Sequence, residues 1–308
     1  MKSVSVAAIT IIFGFVSLVA CSKLEPKAPP DANLLDGPID GLSAEQHQMF
    51  LRGDIAFNDD VFTRETGLGP LFVSTSCGSC HAGDGKGHPF TTLTRFGQTD
   101  ENGNHFLNQG GPQLQNRAIA GYLPEQIPSG ATSARFTPPA NTGLGYLDAV
   151  PDVTIMALAD SADTDGDGIS GVPNWVHLKE FVIPRPGSII NSGKGIGRFG
   201  KKAGAYDLLQ QTAAAYNQDM GITSTYEPFD THSGEELDLE VSNQTVQDVV
   251  FYLRTLKAPV QRNTYSADVI AGKQLFLQID CGKCHTPELT TGPSPITALS
   301  FKSFYPYT

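Results

Sequence analysis

The chain has 308 residues, a length that suits two modest domains, and 40% of them are apolar, which excludes a disordered chain. Its formal net charge is −11 and its pI about 5.0, so it lacks the basic footprint that a nucleic-acid binder needs. An acidic surface can steer a basic redox partner, although most such faces are simply solvated.

In chain order, Lys2 and an uncharged, largely apolar run over 4–20 come first, ending in Leu-Val-Ala-Cys at 18–21. This reads as a secretory signal over 1–20 with a lipoprotein cleavage box, after which Cys21 carries the lipid. An uncleaved anchor is the alternative, because the run is near the lower limit for a membrane span. Ser22 follows the cysteine, and by resemblance to such signals a residue other than Asp there favours the outer membrane. Residues 21–40, rich in Pro, Asp, Gly and Ala, read as a flexible tether.

Ser43 with Gln46 predicts a capping box opening a helix over 43–57, with Met49, Phe50, Gly53 and Phe57 at helical spacing. CGSCH follows at 77–81. The stretch over 82–151 is rich in Gly and Pro and reads as irregular chain. A short helix follows Pro151. Another is predicted over 203–219, with Leu209, Thr212, Ala213 and Tyr216 inward, and it stops at Gly221 after Met220. A third, over 242–256, presents Val246, Val249, Val250, Leu253 and Leu256 on one face, with Tyr252 in the run, and Pro259 ends it. Ser266 then caps a helix bearing Val269, Gly272, Leu275 and Phe276, which repeats the pattern of 43–57 and also runs into a CxxCH motif, CGKCH at 281–285. Alternating strands are scarce. The expected class is mainly α, with two cytochrome c-like domains over 41–258 and 264–308 and long irregular loops.

Of the five cysteines, Cys21 belongs to the signal and the other four form the pairs Cys77/Cys80 and Cys281/Cys284, each followed directly by His. Paired cysteines in an exported chain are usually disulfides. C-x-x-C-H is instead the attachment signature of haem c: both thiols add to the vinyl groups, and His81 or His285 gives a nitrogen to iron. A zinc ribbon would bring its pairs within about 15–20 residues, whereas 200 residues separate Cys80 from Cys281. A thioredoxin-like dithiol needs a βαβ context, and neither motif has one.

Asp163, Asp165 and Asp167 occupy positions 1, 3 and 5 of an EF-hand-like loop, with Gly168 at its turn and the Ile169 carbonyl at position 7. Position 12 is Asn174, not the bidentate Glu, so the loop is not a standard EF-hand. The readings are a structural Ca²⁺ or a solvated acidic turn.

The stretches GLGPLFVSTSCGSCHAGDGKG, GPQLQNRAI, GLGYLDAVP, DTDGDGISGVPNWV, GRFGKKA, LLQQTAAAYNQDMGITS, VVFYLRTL and GKQLF…CGKCHTPELTTG resemble the di-haem oxidoreductase family. Its members are described as di-haem peroxidases and also as predicted thiol oxidoreductases, and are distant relatives of bacterial di-haem cytochrome c peroxidases. The resemblance covers the chain from about Gly41 onward. Such proteins continue well past the second motif with another Asp-Met-Gly, whereas Thr308 lies 23 residues after His285, so the resemblance implies a C-terminally truncated second domain.

The group opposite each motif histidine decides between electron transfer and peroxide chemistry. For the first haem the candidates are Met49, Met156, Met220, His47, His88, His105, His177 and His232. Met220 is preferred because it lies between the motif and the 242–256 helix; the alternative is a packing residue ending a helix. No Met or His follows His285. Trp175, the only Trp, reads as a core residue or, by resemblance to the distant peroxidases, an electron relay between haems. The expected activity is reduction of H₂O₂ or a similar small oxidant in the periplasm. Electrons would come from a small redox protein or a membrane donor. The rival is an electron carrier with both irons closed, and the thiol oxidation suggested by the family label has no spare cysteine to support it.

Overall fold

The computed structural model describes residues 36–308 except 86, 98, 101–102, 236–238 and 308. The signal over 1–20, Cys21 and the tether up to residue 35 lie outside the described residues. The described chain is mostly helical and irregular. Its helices are α1 (Ala44–Asn58), α2 (Leu144–Asp148), α3 (Asp152–Met156), α4 (Leu208–Met220), α5 (Asn243–Thr255), α6 (Ala267–Gln278) and α7 (Cys281–Cys284). None is long and apolar enough to cross a membrane.

The strands are short and pair antiparallel, two by two. β1 (Leu71–Phe72) pairs with β5 (Arg117–Ala118), β2 (Leu93–Phe96) with β6 (Ser133–Phe136), and β3 (Thr99–Asp100) with β4 (Gly103–Asn104). β7 (Trp175–His177) pairs with β8 (Lys194–Ile196), and β9 (Leu289–Thr290) with β10 (Ser303–Phe304). The described residues, from 36 onward, form one contact-connected unit.

α1 opens as its sequence predicts. The Gln46 N–H donates to Ser43 Oγ at 3.2 Å, and the Ser43 N–H donates back to Gln46 Oε1 at 3.0 Å. These bonds satisfy two donors that a bare helix end leaves unmet. α1 then crosses α5 at Gly53, where a Cβ would sit 2.1 Å from the Asp248 carbonyl oxygen and 2.6 Å from Tyr252 Cβ. Only hydrogen fits there. The close approach packs Phe50 and Phe57 against Tyr252 with tilted rings, centroids 5.0 and 5.5 Å apart. At the rim, Arg52 Nε donates to Asp248 Oδ2 at 2.7 Å.

Val246, Val249, Val250, Tyr252, Leu253 and Leu256 of the α5 segment are all buried, as their spacing predicts. Each such side chain contributes about 1.5–3 kcal/mol of burial. α4 packs on α5 through the same core, and Thr212, Ala213 and Tyr216 are buried. α4 begins at Leu208 rather than near 203 for two reasons. Phe199 and Ala205 exchange backbone hydrogen bonds at 3.1 Å, which holds 203–206 in a hairpin, and the Asp207 side chain then caps the helix by accepting from the Gln210 N–H at 2.8 Å. Gly221, at φ +65°, ends α4 in the left-handed conformation that a C-cap needs.

α6 repeats the α1 pattern, with Ser266 accepting from the Val269 N–H at 3.3 Å. Its surroundings differ: none of its residues is buried, and a Cβ on Gly272 would meet nothing within 4 Å among the described residues.

The two glycines therefore respond oppositely to a methyl group. Gly53→Ala should destabilise the fold by about 1–3 kcal/mol through overpacking. Gly272→Ala should be neutral or stabilise by up to about 1 kcal/mol through helix propensity. Thermal melts of the two variants beside the parent check this pair.

Candidate functional site

The first motif is tied to the end of α1. The Gly78 N–H donates to the Phe57 carbonyl at 3.2 Å, and the His81 N–H closes a helical turn onto Cys77 O at 3.0 Å. The His81 ring lies 5.9 Å from that of Phe57. The segment before the motif is tied to the end of α4: Val73 and Ser74 donate to Asp219 O at 2.7 and 3.0 Å, and Gly69 to Met220 O at 3.0 Å. Residues far apart in sequence thus reach one cavity of about 1520 Å³, whose walls include Cys77, Cys80, His81 and Met220. That exceeds the roughly 300–1,000 Å³ of ordinary ligand pockets.

Burial pushes the Cys77 thiol up to about 12, helped by Asp219, and burial raises Cys80 as well. Thiols held neutral are poor thiolate metal ligands and poor redox nucleophiles. They suit a thioether, which carries no charge. Burial also lifts the cavity-lining carboxyl of Asp219 up to about 7, opposed by the Arg95 guanidinium.

Among the described residues, six buried polar atoms of residues that line the cavity have no hydrogen-bond partner: Gln113 Nε2, Asn141 Nδ2, Arg198 Nε, Gln210 Oε1, Thr212 Oγ1 and the Tyr216 hydroxyl. A porphyrin held by two thiols and one imidazole fits a cavity of this volume with Cys77, Cys80 and His81 on its walls. Thr212, Tyr216 and Met220 stand at i, i+4 and i+8 on α4 and all line the cavity. Of the eight distal-ligand candidates, Met220 alone lines it. It is 1% exposed, whereas His47, His88, His105, His177 and His232 are exposed and Met49 and Met156 are half-buried elsewhere.

The second motif makes the same turn, with the His285 N–H donating to Cys281 O at 2.8 Å. Cys281 is half-buried, Cys284 and His285 are exposed, and none of the three lines the large cavity. Phe276 lies 6.5 Å from the His285 ring and 5.2 Å from that of Tyr307, a cavity-lining residue. Lys283, inside the motif, places Nζ 3.0 Å from Asp167 Oδ2.

That contact joins the motif to the acidic loop. Carboxylate oxygens of Asp163, Asp165 and Asp167 lie within 4.8 Å of one another. The Gly168 N–H donates to Asp163 Oδ1 at 3.1 Å and the Ile169 N–H to Asp167 Oδ1 at 2.8 Å. Asp160, which sequence reasoning missed, closes the loop from outside by accepting from the Thr164 N–H at 2.9 Å. Asn174, the twelfth position, donates instead to Lys202 O at 2.9 Å and Ala203 O at 3.0 Å. Trp175 is half-buried on β7 and does not line the cavity.

A buried ionic network behind the cavity was also missed. Arg198 donates to Asp152 and, at 2.8 Å each, to the carbonyls of Leu147 and Asp148. Arg185 pairs with Asp148 at 3.0 Å, and Arg254 with Asp148 at 3.1 Å and Asp207 at 3.7 Å. The signal was the charged residues inside the motifs GLGYLDAVP, GRFGKKA and VVFYLRTL, whose partners are distant in sequence. Asp152→Asn should leave the Arg198 charge buried and uncompensated. That should cost about 3–5 kcal/mol, read from the denaturant midpoint.

Residues 131–308 match a family model described as "Di-haem oxidoreductase, putative peroxidase". No curated protein and no solved structure matches the chain. The matched span is more than half of the chain and takes in Met220, the ionic network and the second motif, while the first motif precedes it; the chain belongs to the di-haem oxidoreductase family.

Proposed function

We propose that the chain is an exported di-haem c-type oxidoreductase of peroxidase type, passing electrons between two covalent haems to reduce H₂O₂ or a similar small oxidant. The observation that carries this reading is the meeting of Cys77, Cys80, His81 and Met220 on the walls of one large cavity. Cys77 and Cys80 hold the macrocycle by thioethers, and His81 gives its iron a nitrogen. Cys281, Cys284 and His285 do the same at the second motif, so that 41–258 and 264–308 are two cytochrome c-like haem units. When bound, the haems supply one-electron transfer and, where a sixth position is open, peroxide reduction.

Met220 is the distal ligand of the first haem in this reading. A thioether favours the reduced iron, which suits an electron-entry site, and leaves the oxidant to the second. Burial of Met220 at 1% exposure also supports the rival reading, an electron carrier with both irons closed. The acidic loop holds Ca²⁺ through Asp163, Asp165, Asp167 and the Ile169 carbonyl, because three carboxylates that close repel unless a cation lies between them. In the same reading Trp175, in β7 shortly after this loop, either packs the fold or relays electrons between the haems. Lipid on Cys21 anchors the protein to the outer membrane, facing the periplasm, and the net charge of −11 steers a basic redox protein toward it.

Expressed with a haem-maturation system, Cys77→Ala and Cys281→Ala should each lower a pyridine haemochrome count from two haems to one. The parent should turn over H₂O₂ with a reduced donor. An unchanged count refutes the attachment sites, and two low-spin, peroxide-inert irons establish the electron-carrier reading.

Met220→Ala should abolish the weak methionine–iron band of the oxidised spectrum, lower the potential of one haem and let cyanide bind there. If spectrum and potential are unchanged, Met220 only packs the end of α4.

A further inference from the structure

We propose that the rings of Phe276 and Tyr307 form the path by which electrons cross between the haem at the second motif and the haem in the large cavity. The inference rests on the reading that both motifs carry haem, and it assigns the crossing to residues other than Trp175. Phe276 packs on the second motif. Its Cε1 lies 3.8 Å from the place of a Gly282 Cβ, and its ring centroid lies 6.5 Å from that of His285. On its other side the ring meets that of Tyr307 edge-to-face, with centroids 5.2 Å apart and planes at 87°. Both separations fall in the range of about 4.5–7 Å found for packed aromatic pairs. Tyr307 is half-buried and lines the cavity whose walls include Cys77, Cys80 and His81. The row His285, Phe276, Tyr307 thus runs from the second motif to the wall of the first haem's cavity.

The fold holds this row in place. α6 turns Phe276 inward, half-buried, while Ile270, Leu275 and Leu277 of the same helix are 48%, 52% and 55% exposed. The segment that carries Tyr307 is tied at two further points. Phe304, in β10, stacks on Tyr146 of α2 with centroids 5.4 Å apart, and Lys273 of α6 places Nζ 5.8 Å from the centre of the Tyr305 ring. The first motif has a similar pair, since Phe57 lies 5.9 Å from the His81 ring and 5.5 Å from that of Tyr252. Tyr252 is fully buried and does not line the cavity, so that pair ends in the core, whereas the Phe276 pair ends at the cavity. Trp175 neither lines the cavity nor meets another ring among the described residues. Electronic coupling decays more slowly through packed atoms than across empty space, so a row of touching rings is a favoured medium. The rings are not themselves oxidised. One electron leaves the iron of one haem and arrives at the iron of the other, and no proton moves.

The test uses the two-haem holoprotein. A pulse of one-electron reductant reduces either iron, and the electron then redistributes to the haem of higher potential in a phase whose rate does not depend on protein concentration. Tyr307→Leu and Phe276→Leu should slow that phase severalfold while both potentials stay in place. Tyr307→Phe keeps the ring and should keep the parent rate. Tyr305→Leu removes a ring of the same segment that lies outside the row. It should also leave the rate unchanged, which separates a path from general loosening of the segment. If both row variants to Leu keep two haems, both potentials and the parent rate, the proposal fails. It fails as well if Tyr307→Phe is as slow as Tyr307→Leu, which gives the role to the hydroxyl, or if Tyr305→Leu slows the phase as much. A slowed phase in Trp175→Phe, with the parent rate in both row variants, moves the path to Trp175 and also overturns the proposal. Should Phe276→Leu shift the potential of the second haem, the Tyr307 variants decide alone. A haemochrome count below two in the parent would overturn the underlying reading itself, a result distinct from these failures of the path.

Discussion

The structure depends on one steric fact, the absence of a side chain at Gly53. There α1 presses against the α5 backbone closely enough that a methyl would lie 2.1 Å from Asp248 O. Everything at the first motif follows from that approach. Phe57 is held against Tyr252, and its carbonyl receives the Gly78 N–H that starts the CGSCH turn. Val249 and Leu253 of α5 and Phe57 of α1 then form the apolar side of the cavity. A wider crossing would open that wall to water and loosen the turn that presents His81.

The second constraint is electrostatic. Asp152, with 1% of its side chain exposed, pairs with Arg198, while Asp148 joins Arg185 to Arg254 and Arg254 reaches Asp207. Buried ion pairs seldom add net stability, because desolvation offsets their attraction. Here they also position the cavity. Asp207 is the N-cap of α4, the helix that carries Thr212, Tyr216 and Met220 to the cavity, and Arg198 is itself part of the wall. Network and site share residues, so one cannot be rearranged without the other.

The two CxxCH motifs make the same local turn in different environments. The first sits among core helices, with thiols whose charge is suppressed by burial. The second is exposed and is joined to the acidic loop through Lys283. The exposed Gly272 face of α6 matches this difference, since a glycine shaped for close crossing has no described neighbour within 4 Å.

Much of this was legible in the residues alone, because it depends on short-range chemistry. The caps at Ser43 and Ser266, the inward face of α5, the stop at Gly221 and both CxxCH turns are set by neighbours within a few positions. Adjacent carboxylates likewise marked the acidic loop, although Asp160 went unnoticed because its part in it is a hydrogen bond from Thr164 rather than a place in the pattern. What only the tertiary structure decided is whatever joins distant segments. The start of α4 moved to Leu208 because the Phe199–Ala205 bridge and the Asp207 cap outweigh helix propensity. Arg198, Asp152 and Asp148 are ordinary charges in sequence and become a network only when burial removes water from between them. Gln113 and Asn141 have no sequence feature that marks them as cavity residues, and only the fold brings them with Tyr216 to the lining of one cavity. Local patterns mark the two CxxCH motifs; the walls of the cavity beside the first are selected by packing, which has no sequence period to read.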